Sequence, residues 1–167
     1  MSELKELEDL YKQGKYREVI AAVDAENPLK NSIEGAPKVL QKAWAHHQLG
    51  EYDLSMTIMN DLSLMYPSTT DVGESARRGL AHGYLQRDGN IEKAESIISR
   101  QLPSSLSRDN LMVDICTKAA RKGLQVPVKA VLAAITHVIQ SVPYTTMNGH
   151  VVNNGALCLH EARQQEA

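Results

Sequence analysis

Four glycines constrain this chain more than any other feature. LYKQGKYREVIAAV carries Gly14 and HHQLGEYDLSMTIM carries Gly50. YLQRDGNIEKAESII carries Gly89 and AARKGLQVPVKAVL carries Gly123. Successive glycines stand 36, 39 and 34 residues apart. In each stretch a helix-like pattern ends near the glycine and another begins within about three residues. Glycine enters the left-handed backbone region without a Cβ penalty, which is how many helices end. A period of this length is the mark of a stacked helix-pair array.

The residues around each glycine fit such a unit. The next apolar or aromatic residue, Tyr16, Tyr52 or Ile91, is placed to wedge between two helices, with Gln125 at the fourth position. A small or branched residue three further on lets the helices approach: Val19, Ser55, Ala94 and Val128. Pro28, Pro67, Pro103 and Pro143 fall where second helices should stop. Nine helices are expected, near 3–13, 16–26, 35–49, 53–66, 71–87, 91–101, 108–122, 127–141 and 149–164. Asp71-Val-Gly-Glu74 reads as a capping-box start for the fifth. Pro127 suits the first turn of the eighth, and Asn148-Gly149 reads as a turn before the ninth. No alternating strand pattern is visible.

This pattern resembles the tetratricopeptide repeat, over roughly residues 3 to 142. The second repeat carries it best, with Ala43, Gly50, Tyr52, Met59, Leu62 and Pro67 in order. The third departs from it around Gly79 and Gly83. The resemblance implies an all-α fold, a right-handed α-solenoid of about four helix–turn–helix repeats plus a C-terminal capping helix. A single domain over 1–167 is expected, with repeats near 3–26, 35–66, 71–101 and 108–141 and the cap near 149–164.

It also implies a function. First helices of such repeats line a concave groove that takes an extended peptide or a helix of another protein. The groove positions would be Glu8, Tyr11 and Lys12, then Leu40, Trp44, His47 and Gln48. Gln86 and Arg87 follow, then Val113, Thr117, Ala120 and Arg121. Trp44 is the sole tryptophan, and tryptophan is enriched at binding hot spots; core packing is its other reading. Arg87 and Arg121 are candidate carboxylate grips, or solvated helix ends. The carboxylate clamp of some family members is not expected, because its asparagines are absent and Glu8 stands where one would sit.

Composition narrows the classes. A net charge of -2 gives no global reason for nucleic acid or an anionic membrane as partner. Residues 77–129 lean basic, but no aromatic stacking motif accompanies them. The longest apolar tract, 126–142, is too short and too polar to span a bilayer. Cys116 and Cys158 form no CxxC pair and no visible disulfide framework. MSELKELEDL lacks a secretory pattern. A reducing, cytoplasmic setting is the expectation.

From Ala130 to His160 there is no Asp, Glu, Lys or Arg. That stretch reads as a buried cap on the last repeat, or as an exposed interface for self-association or another protein. Neither metal nor cofactor is expected: His46 and His47 diverge on a helix, and no nucleotide or hydrolase motif appears. The reading is therefore a protein-binding adaptor rather than an enzyme. A client-specific chaperone and a structural oligomer are alternatives. So is an enzyme in which His46, His82 or His137 meets an acid or Cys116 in a pocket.

Overall fold

The computed structural model describes residues 3–141 and 146–166. Among them the fold is all-helical. The elements are α1 (Glu3–Lys12), α2 (Tyr16–Glu26), α3 (Gly35–Gln48), α4 (Tyr52–Met65) and α5 (Asp71–Asp88). They continue with α6 (Ile91–Gln101), α7 (Leu106–Arg121), α8 (Val128–Ser141) and α9 (Thr146–Glu166). Each expected helix is present, with ends displaced by up to three residues. No helix among the described residues is long and apolar enough to cross a membrane.

The four glycines adopt the backbone geometry that ends helices. Gly14, Gly50, Gly89 and Gly123 have φ of +75°, +75°, +60° and +73°. Each therefore sits in the left-handed region at the junction of a helix pair. Two prolines stop helices as expected. Tyr66 (φ −121°, ψ 130°) and Leu102 (φ −105°, ψ 142°) are extended immediately before Pro67 and Pro103. The ring of the following proline excludes the α region there. Pro143 lies outside the described residues.

Four expectations need correction. Thr70, not Asp71, caps α5: its Oγ1 accepts the Gly73 N–H at 3.1 Å. Ser105 caps α7 and starts it two residues early, its Oγ accepting the Arg108 N–H at 3.0 Å. Asn148-Gly149 is not a turn but lies within α9. One glycine costs only about 1 kcal/mol in a helix, which a 21-residue helix tolerates.

The fourth correction concerns register. Val19, Ser55 and Ala94 are fully buried, but Val128 is 37% exposed. Pro127 keeps Val126 out of helical conformation, so α8 starts five residues after its glycine instead of two. Pro127 stands just outside the helix, its carbonyl accepting the Val131 N–H. Gln125 is thus a loop residue. The buried position remains the fourth residue of the second helix, and here it is Val131.

The chain forms two compact units, residues 1–83 and 84–167, divided within α5. In the first, α1, α2 and α3 enclose Leu7, Val19, Val23 and Ala45. α3 packs on α4, which buries Met56, Met59 and Leu62. The pattern break at Gly79 and Gly83 has a packing reason. A Cβ at Gly79 would lie 2.0 Å from Met59 Sδ, and one at Gly83 would lie 2.6 Å from Met56 Cγ. These glycines admit the α4 methionines. Arg77 closes the α4 end by donating to the Ser63, Tyr66 and Gly73 carbonyls at 2.9–3.0 Å.

Ion pairs tie α3 to its neighbours. Lys38, nearly buried, donates to Glu3 at 2.6 Å and also to Glu26. Glu51 accepts from His46 Nδ1 at 2.6 Å and pairs with Arg17 at 2.5 Å. The hydrogen bond from Lys38 holds the Glu3 carboxyl below its usual value of 4.5. That from His46, then Arg17, does the same for Glu51. A depressed folded-state pKa contributes stability above the unfolded value that is lost as pH falls through the folded one. Urea midpoints should therefore fall with pH below about 4.5. The decline should be shallower in a Glu3→Gln, Glu51→Gln variant, and equal slopes would remove these carboxylates from the acid sensitivity.

In the second unit α7 is central. It packs against α6, α8 and α9, and nine of its 16 residues are buried. α9 lays Gly155, Cys158 and Ala162 into the core, one helical face at 3- and 4-residue spacing. The uncharged stretch thus divides. Val131, Ala134, Val138 and Cys158 are buried, while Leu132, Ile139 and Leu157 are about half exposed or more.

Candidate functional site

In the first unit, α3 presents Leu40, Trp44 and His47 at one-turn spacing, all half-buried. Ring edges connect this strip to its surroundings. The Trp44 and His47 centroids are 5.5 Å apart, and His47 lies 5.1 Å from Tyr52. His82 of α5 lies 6.3 Å from Trp44 and 6.1 Å from His47. The Trp44 Nε1–H donates to Ser75 Oγ at 2.9 Å. Gly79 lies beside the indole, where a Cβ would make an ordinary 3.4 Å contact with the ring.

The strip extends toward α1. Gln48 Nε2 donates to the Tyr11 hydroxyl at 2.9 Å. Tyr11 packs edge-on to Tyr16 at 5.2 Å, and burial pushes its phenol up from the usual value of 10.0. Lys12 and Gln48 are exposed. All seven expected first-unit groove residues lie on α1 and α3: Glu8, Tyr11, Leu40, Trp44 and His47 are half-buried, and Gln48 is hydrogen-bonded to Tyr11. Edge-to-face pairs of this kind orient rings and add about 0.5–1.5 kcal/mol each. The exposed remainder offers ring edges, an amide and imidazoles.

Ser75 and His82 complete the surface and were absent from the expected set. Their spacing of seven puts them on one face of α5. The signal was present but obscured by the intervening Gly79, which breaks the apolar pattern.

The six positions expected from the later repeats fare differently. Gln86 is half-buried and Arg87 exposed. Arg87 brings its own counter-ion, donating to Asp88 through Nε and Nη2, both at 2.8 Å. That pairing holds the Asp88 carboxyl below its usual value. Thr117 does not line an open groove. It is buried, and its hydroxyl donates to the Val113 carbonyl at 2.8 Å. Val113 and Ala120 are buried too. The reason is α9, which packs on α7 and reaches Arg121 through Glu161 at 3.3 Å.

The second unit brings together residues that spacing did not connect. Cys116 of α7 and Cys158 of α9 are both buried, and the neighbouring Cys158 side chain, together with burial, pushes the Cys116 thiol up. His137 Nδ1 lies 2.5 Å from Asp109 Oδ2 on the wall of an open cleft of about 350 Å³ between α6, α7 and α8. The meeting of histidine and acid required by the enzyme alternative thus occurs twice among the described residues, since His46 meets Glu51. In the His46 pair the histidine is buried, while Glu51, half-buried at the α3–α4 turn, also pairs with Arg17, a structural placement. Among the described residues no three His, Cys, Asp or Glu side chains converge as metal ligands do.

No family model, curated protein or solved structure was found to match this chain.

Proposed function

We propose that this is a tetratricopeptide-like helix-pair protein that binds another protein through the Tyr11–Trp44–His82 surface of its first unit. The repeat reading is supported by the four left-handed glycines and by the register they share. Val19, Ser55, Ala94 and Val131 are each the fully buried fourth residue of a second helix. The observation carrying the function is the half-buried Trp44, anchored by Ser75 and ringed by His47 and His82. Its pre-set orientation lowers the entropy cost of contact. The ligand that suits this surface is an extended peptide or helix with apolar anchors and hydrogen-bonding groups.

Trp44 is also the built-in probe, being the only tryptophan. A partner is captured from the source lysate with the intact chain, and the segment responsible is titrated against it. Binding at this surface shifts Trp44 emission. A folded Trp44→Ala variant should lose at least about 2 kcal/mol, roughly 30-fold in Kd. Capture with unchanged emission and full affinity in the variant would move the interface off this surface. The exposed apolar residues Leu132 and Ile139 of α8 would then be the next surface to alter.

A further inference from the structure

The cleft between α6, α7 and α8 has a charge arrangement that the first-unit surface does not use. Its two acids are engaged: Asp109 by His137, and Glu95, whose Oε1 accepts the Ser99 hydroxyl at 2.9 Å. Its two permanent cations are not. Among the described residues the Arg108 guanidinium donates only to the neutral Ser104 hydroxyl at 3.3 Å, and Lys129 meets no carboxylate. The unspent bonding capacity of the cleft is therefore cationic. Buried Ile98, Met112 and Ala134 supply an apolar floor. A volume of about 350 Å³ lies within the range of small-molecule sites.

We infer that this cleft binds a small organic monocarboxylate with an aliphatic body. The carboxylate would meet the Arg108 guanidinium, and the hydrocarbon would cover the floor toward Lys129, whose ammonium adds a favourable charge along the cleft. Guanidinium–carboxylate hydrogen bonds are among the stronger ones available. Glu95 and Asp109 set the upper limit on charge: a dianion such as a phosphate monoester would face two fixed carboxylates nearby. Asp109 is nearly buried, so its bond to His137 fixes the α8 wall against α7 and holds the cleft to one width. His137 is a positioning residue in this scheme. The inference is independent of the first-unit reading, since each of its residues belongs to the second unit.

The test uses the full chain labelled with ¹⁵N. Hexanoate is titrated, with hexylamine and inorganic phosphate as comparators, and amide shifts are followed. Hexanoate should give saturable shifts confined to residues around the cleft. Arg108→Gln with Lys129→Gln should weaken it at least about tenfold, because one hydrogen bond to a charged group is worth roughly a decade of affinity or more. Ala133→Leu narrows the cleft without touching a charge and should also weaken binding. It decides the matter if the double variant fails to fold. Three results overturn the inference: no saturable shift, affinity unchanged in the folded variants, or phosphate or hexylamine binding as tightly as hexanoate.

Discussion

Gly73→Ala is expected to destabilise the first unit by at least about 2 kcal/mol, read as a lowered urea midpoint. Helix propensity alone predicts the opposite sign, since alanine is favoured over glycine by about 1 kcal/mol in a helix interior. Sterics decide against it. A Cβ at this position would stand 2.0 Å from the Pro67 carbonyl oxygen and 2.6 Å from that of Tyr66. Both obstacles are backbone, and Arg77 also donates to the Tyr66 carbonyl. The turn cannot yield without breaking the α4 end and the Thr70 cap together. Gly50→Ala is the comparison. Nothing lies within 4 Å of a Cβ there, and only the left-handed φ of +75° is violated. Its cost should be nearer 1 kcal/mol. A neutral Gly73→Ala would mean that the α4–α5 turn is not closed as described.

Removal of residues 142–167 should unfold the second unit. It uncovers Val113, Cys116, Thr117 and Ala120 on α7 and deletes the buried Cys158 and Ala162. At about 25 cal/mol per Å² of apolar surface, the loss is several kcal/mol. Folded domains are stable by only about 0.05–0.15 kcal/mol per residue, so the remainder falls near or below its threshold. The expected result is loss of the second unit's cooperative transition and binding of an apolar dye. The first-unit helices should keep their amide protection. A truncated chain that retains two full transitions would show that α9 contributes little, and would return the α7 face to the set of exposed surfaces.

Much of the helical layout was legible because it rests on local chemistry. Gly14, Gly50, Gly89 and Gly123 mark helix junctions through backbone freedom alone. Pro67 and Pro103 stop helices through ring sterics felt by the preceding residue. Errors arose where two local signals competed. Val126-Pro127 delayed α8 by three residues and moved the buried role from Val128 to Val131. Thr70 and Ser105 out-competed neighbouring starts because their hydroxyls reach an unpaired N–H two or three residues on.

The candidate surface was half legible. Leu40, Trp44 and His47 share a face by spacing alone. Ser75 and His82 joined them only through the packing of α5, which the bare Cα of Gly79 permits.

What the sequence determined by itself was which residues form helices, where the chain reverses, and which face of α3 carries the tryptophan. Each depends on dihedral preferences and 3.6-residue periodicity, which act over a few residues. Tertiary structure alone decided that Thr117 is covered, that Cys116 meets Cys158, and that His137 meets Asp109. Those pairs are 28 and more residues apart along the chain. Their contact depends on how α8 and α9 pack against α7, which burial of apolar surface sets and no local pattern encodes.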